Sequence, residues 1–168
     1  MVDLLPLPGV RAMDVGAGTG RDAAALARRG YEVTAVEPVR ELADVARHLN
    51  PHQKVRWVQD ALPDLGRLTG GFSLVLLSAV WMHLPPAERG PAMRRLAELL
   101  TPDGLLVISL RRGKPPTDRV MFDVPAQEVT GDAQRAGLEV IRLVEEGADR
   151  LGRAEVWWQT LALGPGKR

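Results

Sequence analysis

Val10-Arg11-Ala12-Met13-Asp14-Val15-Gly16-Ala17-Gly18-Thr19-Gly20-Arg21-Asp22-Ala23-Ala24-Ala25-Leu26-Ala27-Arg28-Arg29-Gly30 is the stretch whose reading decides the fold. Val10 to Val15 is a short, largely apolar run that ends in glycines. Arg21 to Arg29 is rich in alanine, a strong helix former, and Gly30 behind it supplies a C-terminal stop. The stretch reads as strand, tight loop, helix. The helix begins where the glycines leave the backbone open to close approach by a ligand.

The same alternation continues outward. Tyr31 to Val36 is a second run rich in β-branched residues, ending at Glu37-Pro38. From Val39, apolar residues at Val39, Leu42, Ala43, Ala46 and Leu49 keep helical spacing until Asn50-Pro51, which predicts a helix with one buried face. Val55 to Val58 and Phe72 to Leu77 read as strands three and four; the second is apolar throughout, as in a parallel sheet covered on both faces. Pro85-Pro86 opens a helix in which Met93, Leu96, Ala97 and Leu100 share a face, and Thr101-Pro102-Asp103-Gly104 turns out of it into a fifth strand, Leu105 to Leu110. A further helix is expected from Ala126 to Ala136. Leu138 to Val144 and Glu155 to Leu163 then form two strands with no helix between them. Strands alternating with helices argue for right-handed crossovers. The expected fold is therefore an α/β, doubly wound, mostly parallel seven-stranded sheet with helices on both faces and a C-terminal antiparallel β-hairpin. With no repeat and no linker, residues 1–168 are expected to form a single domain.

Composition fits this reading. The chain has 168 residues, 45% hydrophobic and 26% charged, the balance of a globular protein. Its formal net charge is +1, so no global field points to a nucleic acid or a membrane surface. Without cysteine there is no disulfide, thiolate metal site or thiol nucleophile. His48, His52 and His83 lack a ligand spacing with nearby acids, so no metal is expected. No apolar run approaches the roughly 20 residues of a membrane span, and Met1 to Gly9 lacks the pattern of a signal peptide; a cytoplasmic protein is expected.

Three strand ends carry groups suited to a nucleotide-like ligand. Gly16, Gly18 and Gly20 lie after the first strand, where ligands of open α/β sheets bind. Glu37, after the second, can accept hydrogen bonds from both hydroxyls of a ribose; a solvated strand-end carboxylate is the alternative. Asp60, after the third, can accept from an adenine amine, with Ala61 and Leu62 beside it to cover the ring; a turn or helix cap is the alternative.

In this combination the chain resembles the class I S-adenosylmethionine-dependent methyltransferases, whose fold is Rossmann-like. Asp14-Val15-Gly16-Ala17-Gly18-Thr19-Gly20, Glu37 and Asp60 match that family's first three motifs in order, and Phe72 to Pro85 and Leu99 to Leu106 look like its fourth and fifth. The nearest rival of the same fold, a nicotinamide dehydrogenase, carries G-x-G-x-x-G, whereas here the third glycine follows one residue sooner. The resemblance implies S-adenosyl-L-methionine as cofactor, with S-adenosyl-L-homocysteine as product. It assigns Asp14 to the loop and the methionine amine. Gly16, Ala17, Gly18 and Gly20 fall to the amino-acid and ribose moieties, Pro38 to the neighbourhood of Glu37, and Ser78 and Ala79 to the methionyl end.

Methyl transfer leaves little for side chains beyond positioning, unless the nucleophile arrives protonated. His83 is then the candidate base. Trp81 can offer a π face to a cation, or pack in the core. Arg111 and Arg112, after the fifth strand, can bind an anionic group on the acceptor, or form a solvated turn. Of Trp157 and Trp158, whose rings lie on opposite faces of a strand, one is expected in the core. The acceptor is expected to be a small molecule, with the oligomeric state open between monomer and homodimer. A cofactor-binding partner or regulatory protein without catalysis is the alternative function.

Overall fold

The computed structural model describes residues 1–51, 54–148 and 155–166; His52 lies outside them. Seven strands, β1 (Arg11–Val15), β2 (Glu32–Val36), β3 (Val55–Val58), β4 (Phe72–Ser78), β5 (Leu100–Arg112), β6 (Leu138–Ala148) and β7 (Trp157–Pro165), form one sheet in the order β3-β2-β1-β4-β5-β7-β6. Pairing is parallel from β3 through to β5, while β7 runs antiparallel to both β5 and β6. The terminal pair is thus an antiparallel hairpin, but β7 sits inside the sheet and β6 takes the edge. Four α-helices, α1 (Arg21–Arg28), α2 (Arg40–Leu49), α3 (Pro86–Leu99) and α4 (Ala126–Arg135), connect the strands.

Alternation along the strands divides the core in two. Met13, Val15, Phe72, Val75, Leu77, Leu106 and Ile108 pack with Met93, Leu96 and Val129 of α3 and α4 on one face. Ala12, Val33, Ala35, Leu74 and Val107 pack with Ala23 and Leu26 of α1 on the other. Each side is buried because neighbouring residues of a strand point to opposite faces.

Four expectations change. The apolar stripe of α2 splits: Ala43 and Ala46 are buried, whereas Val39, Leu42 and Leu49 are exposed. A β-carbon built on Gly20 would lie 3.0 Å from the Ala46 methyl and 3.1 Å from the Trp57 ring, so the helix seats itself on small side chains and turns its large ones outward. In α3 the buried face is Ala92, Met93, Leu96 and Leu99, because Leu100 already belongs to β5. The turn at residues 101–104 is absorbed into that strand as an irregularity: Phe72 faces Leu100, yet Leu74 faces Leu105.

Neither Trp157 nor Trp158 joins the core. They pair with Arg112 and Arg111 where β7 reaches the end of β5, and the exposed Trp157 ring lies 5.6 Å from the Arg112 guanidinium.

Candidate functional site

The carboxyl ends of β1, β2, β3 and β4 converge on the glycine loop. Gly16, Gly18 and Gly20 all have positive φ, a backbone that side-chain-bearing residues rarely adopt. The loop is pinned to β2, since the amides of Gly16 and Ala17 both donate to the Val36 carbonyl, at 2.9 and 3.0 Å. Gly18 is open, with nothing within 4 Å of where a β-carbon would stand.

Asp14 lies beneath this loop, 2% exposed, and its Oδ2 has no hydrogen-bond partner. Burial, reinforced by the nearby Asp22 carboxylate, pushes its carboxyl up to about 7. An orphaned, desolvated acceptor of this kind is a site waiting for a donor, and a cationic donor satisfies it best. Asp22, in the first turn of α1, is held below the ordinary carboxylate range. Its partial burial acts upward, but hydrogen bonds from Arg21 and from the Ser78 hydroxyl outweigh that. The sequence signal for Asp22 was an acid in a helix first turn directly after the loop, where the dipole favours it.

Glu37 is 5% exposed and braces the loop. Its Oε2 accepts from the Gly18 amide at 2.8 Å and its Oε1 from the Val39 amide at 3.0 Å. Each oxygen keeps a further lone pair. Pro38 accepts from the Gln59 side chain through its carbonyl, at 3.1 Å.

Asp60 makes the hydrogen bonds of a turn residue, accepting from the amides of Ala61 and Arg67, both at 2.8 Å. Its carboxylate therefore fixes the connection that carries Ala61 and Leu62. Ala79 adopts φ +59 and donates its amide to the Ser109 hydroxyl at 3.0 Å, so Ser109 shapes the end of β4 from the next strand.

A short 3-10 turn, Trp81–His83, follows. Trp81 is wholly buried in the core, and its indole Nε1 has no hydrogen-bond partner among the described residues. His83 is exposed, and its Nδ1 lies 2.9 Å from the Val120 carbonyl. A carbonyl can only accept, so Nδ1 is the donor, and in the neutral ring Nε2 presents a lone pair. The Phe122 amide donates to the Met82 carbonyl at 2.9 Å, a second clasp between this turn and residues 120–122.

The two arginines after β5 part company. Arg112 is consumed internally, donating to both oxygens of Asp123 and to the Gln159 side chain, which ties the 113–123 segment to the sheet. These bonds engage all three nitrogens of its guanidinium. Among the described residues Arg111 makes one bond, to the Lys114 carbonyl at 3.1 Å, and is half-buried.

The model of a methyltransferase domain family matches residues 12–104. A ubiquinone biosynthesis O-methyltransferase of Xanthomonas campestris pv. campestris is 35% identical over 112 residues, 65% of this chain and 46% of that one. The chain spans less than half the length of the curated relatives it matches. Among solved structures, a SAM-dependent methyltransferase from Methanosarcina mazei superposes with a TM-score of 0.82 at 14% identity, covering 99% of this chain and 97% of the other. A 1,6-didemethyltoxoflavin-N1-methyltransferase from Burkholderia thailandensis, solved with S-adenosylhomocysteine, gives 0.77 at 23% identity, covering 95% and 72%. At these identities the structural likeness establishes the fold. Among the described residues no helix is long and apolar enough to cross a membrane.

Proposed function

Because this chain belongs to the methyltransferase domain family, we propose that it binds S-adenosyl-L-methionine at the carboxyl ends of β1 to β4 and transfers its methyl group to a small-molecule acceptor. The observation that carries the reading is the unpartnered Asp14 Oδ2 buried under the glycine loop. It suits the cofactor's ammonium group, while the remaining lone pairs of Glu37 suit the two ribose hydroxyls. Gly16, Ala17, Gly18 and Gly20 let the backbone close on the amino-acid and ribose moieties. Pro38, Asp60, Ala61 and Leu62 bound the adenine side, and Ser78 and Ala79 the methionyl side.

When bound, the cofactor supplies the electrophilic sulfonium methyl. The protein's share is alignment and, for a protonated nucleophile, removal of one proton. His83 is built for that removal: the Val120 carbonyl holds its Nδ1, so Nε2 accepts the proton from an acceptor O–H or N–H as the new bond forms. Arg111 stands at the same end of the sheet, where a modest shift of its side chain would let it meet an acidic acceptor.

Calorimetry with S-adenosylmethionine and S-adenosylhomocysteine tests the cofactor assignment, and failure of both to bind overturns it. Binding with no turnover on a broad panel of phenolic, amine and carboxylate acceptors would favour a cofactor-binding partner without catalysis. With an acceptor in hand, His83→Ala is expected to lower kcat about 100-fold while the cofactor dissociation constant stays unchanged. Unaltered turnover removes His83 from the proton transfer.

A further inference from the structure

A cavity of about 810 Å³ lies at the opposite end of the strands from the glycine loop. It opens across the amino ends of β1, β2 and β3, beside the C-terminal end of α1. Its size is that of a small-molecule site. Parallel register sets Arg11 beside Glu32, and Thr34 beside Arg56, so these four side chains share one face of the sheet. Lys54 precedes β3 and adds a further charge to the same rim. The β3–β4 connection, residues 59–71, runs through turns and lays no helix over this face.

Among the described residues, three cations therefore line the cavity against one carboxylate, Glu32. Lys54 and Arg56 are exposed and form no ion pair among the described residues. Arg11 is prearranged: its Nη1 donates to the Gly70 carbonyl at 2.9 Å, and its guanidinium lies 4.4 Å from the centroid of the Phe72 ring. That anchoring uses one donor and leaves the rest of the planar fork available. Fixing a guanidinium before binding lowers the entropy lost when an anion arrives.

We infer that this cavity is a second ligand site, for a small molecule bearing a phosphate or pyrophosphate group held between Arg11, Lys54 and Arg56. Arginine forks match tetrahedral phosphate oxygens through paired hydrogen bonds, and the lysine contributes a point charge. A concave cavity rather than a long basic stripe selects a compact anion over a polynucleotide. The site is independent of the methyl-transfer reading, since it shares no residue with the glycine loop.

The test uses the whole chain at low ionic strength, where exposed charges are least screened, with inorganic pyrophosphate as probe. Calorimetry is expected to give saturable one-to-one binding, and amide shifts in NMR spectra are expected at residues 32–34 and 54–56. Arg56→Gln should weaken binding about tenfold, and Glu32→Gln should strengthen it severalfold, because one removes a charge of the right sign and the other a charge of the wrong sign. Both side chains are exposed, and unchanged melting temperatures would confirm that the variants fold. The proposal is overturned by unsaturable binding, by shifts confined to residues 16–20, or by equal affinity in Arg56→Gln. Tighter binding of a single-stranded oligonucleotide than of pyrophosphate, with shifts spreading beyond the cavity, overturns it in favour of a nucleic-acid surface.

Discussion

Gly16→Val is expected to lower the affinity for S-adenosylmethionine roughly 1000-fold, about 4 kcal/mol, measured by calorimetry on a protein that still folds. Gly16 has φ +69, and a β-carbon there would stand 2.5 Å from one methyl of Val80 and 3.2 Å from the other. Left-handed strain and overpacking each contribute about 1–3 kcal/mol. The free loop escapes both by lifting off Val80, so binding must restore the crowded arrangement. Val80 precedes the turn that carries His83, so displacement in that direction disturbs the acceptor side as well. Gly18→Ala is the contrast. Its φ of +54 carries the same left-handed strain, but its β-carbon would meet nothing within 4 Å of protein, so affinity lost beyond the cost of that strain reports a ligand close against the backbone. Unchanged affinity in Gly16→Val would move the cofactor away from this loop.

Asp14 gives the second large effect, and it has opposite signs in the free and bound protein. Burial is the main reason its carboxyl titrates near pH 7 in the folded chain, against 3.8 for the unfolded reference. The folded state therefore holds this proton more tightly. Its contribution to stability is complete below pH 3.8 and is lost as pH rises to 7, a difference of up to about 4 kcal/mol. Asp14→Asn is neutral throughout and should melt at a higher temperature than the parent at pH 8, with little difference at pH 4. Cofactor binding runs the other way. An ammonium group needs the carboxylate, so affinity for S-adenosylmethionine should climb about tenfold per pH unit up to pH 7 and then level off. Asp14→Asn should flatten that profile at its weak end. A parent profile without slope between pH 5.5 and 7 would separate Asp14 from the ammonium.

Much of this was legible in the sequence, for definite reasons. The buried parallel strands announce themselves as short apolar runs, and the glycines, Glu37 and Asp60 stand at successive strand ends because the topology places them there. What stayed hidden depends on which neighbour a side chain meets. Periodicity marked the apolar stripe of α2 but could not reveal that alanines make the contact, since that follows from the Trp57 ring and Gly20 opposite them. Asp60 could serve a ligand or a turn, and the amides of Ala61 and Arg67 are what its carboxylate engages. Arg112 read as an exposed cation because its partners are 11 and 47 residues away: Asp123 is brought to it by the connection after β5, and Gln159 by β7. Ser109 matters through one hydrogen bond, to the Ala79 amide from the next strand, which leaves no pattern in a sequence.

The placement of β7 between β5 and β6 has a consequence for biosynthesis. During translation β6 leaves the ribosome before the strand that it pairs with, and the outer edge of β5 must wait for the same segment. Until β7 is made, two long strands offer unpaired backbone to any passing chain, the circumstance in which nascent sheets aggregate. Completion of this sheet thus waits for the last of its seven strands in chain order. A nascent chain stalled within the β6–β7 connection would be a client for chaperones rather than a folded protein.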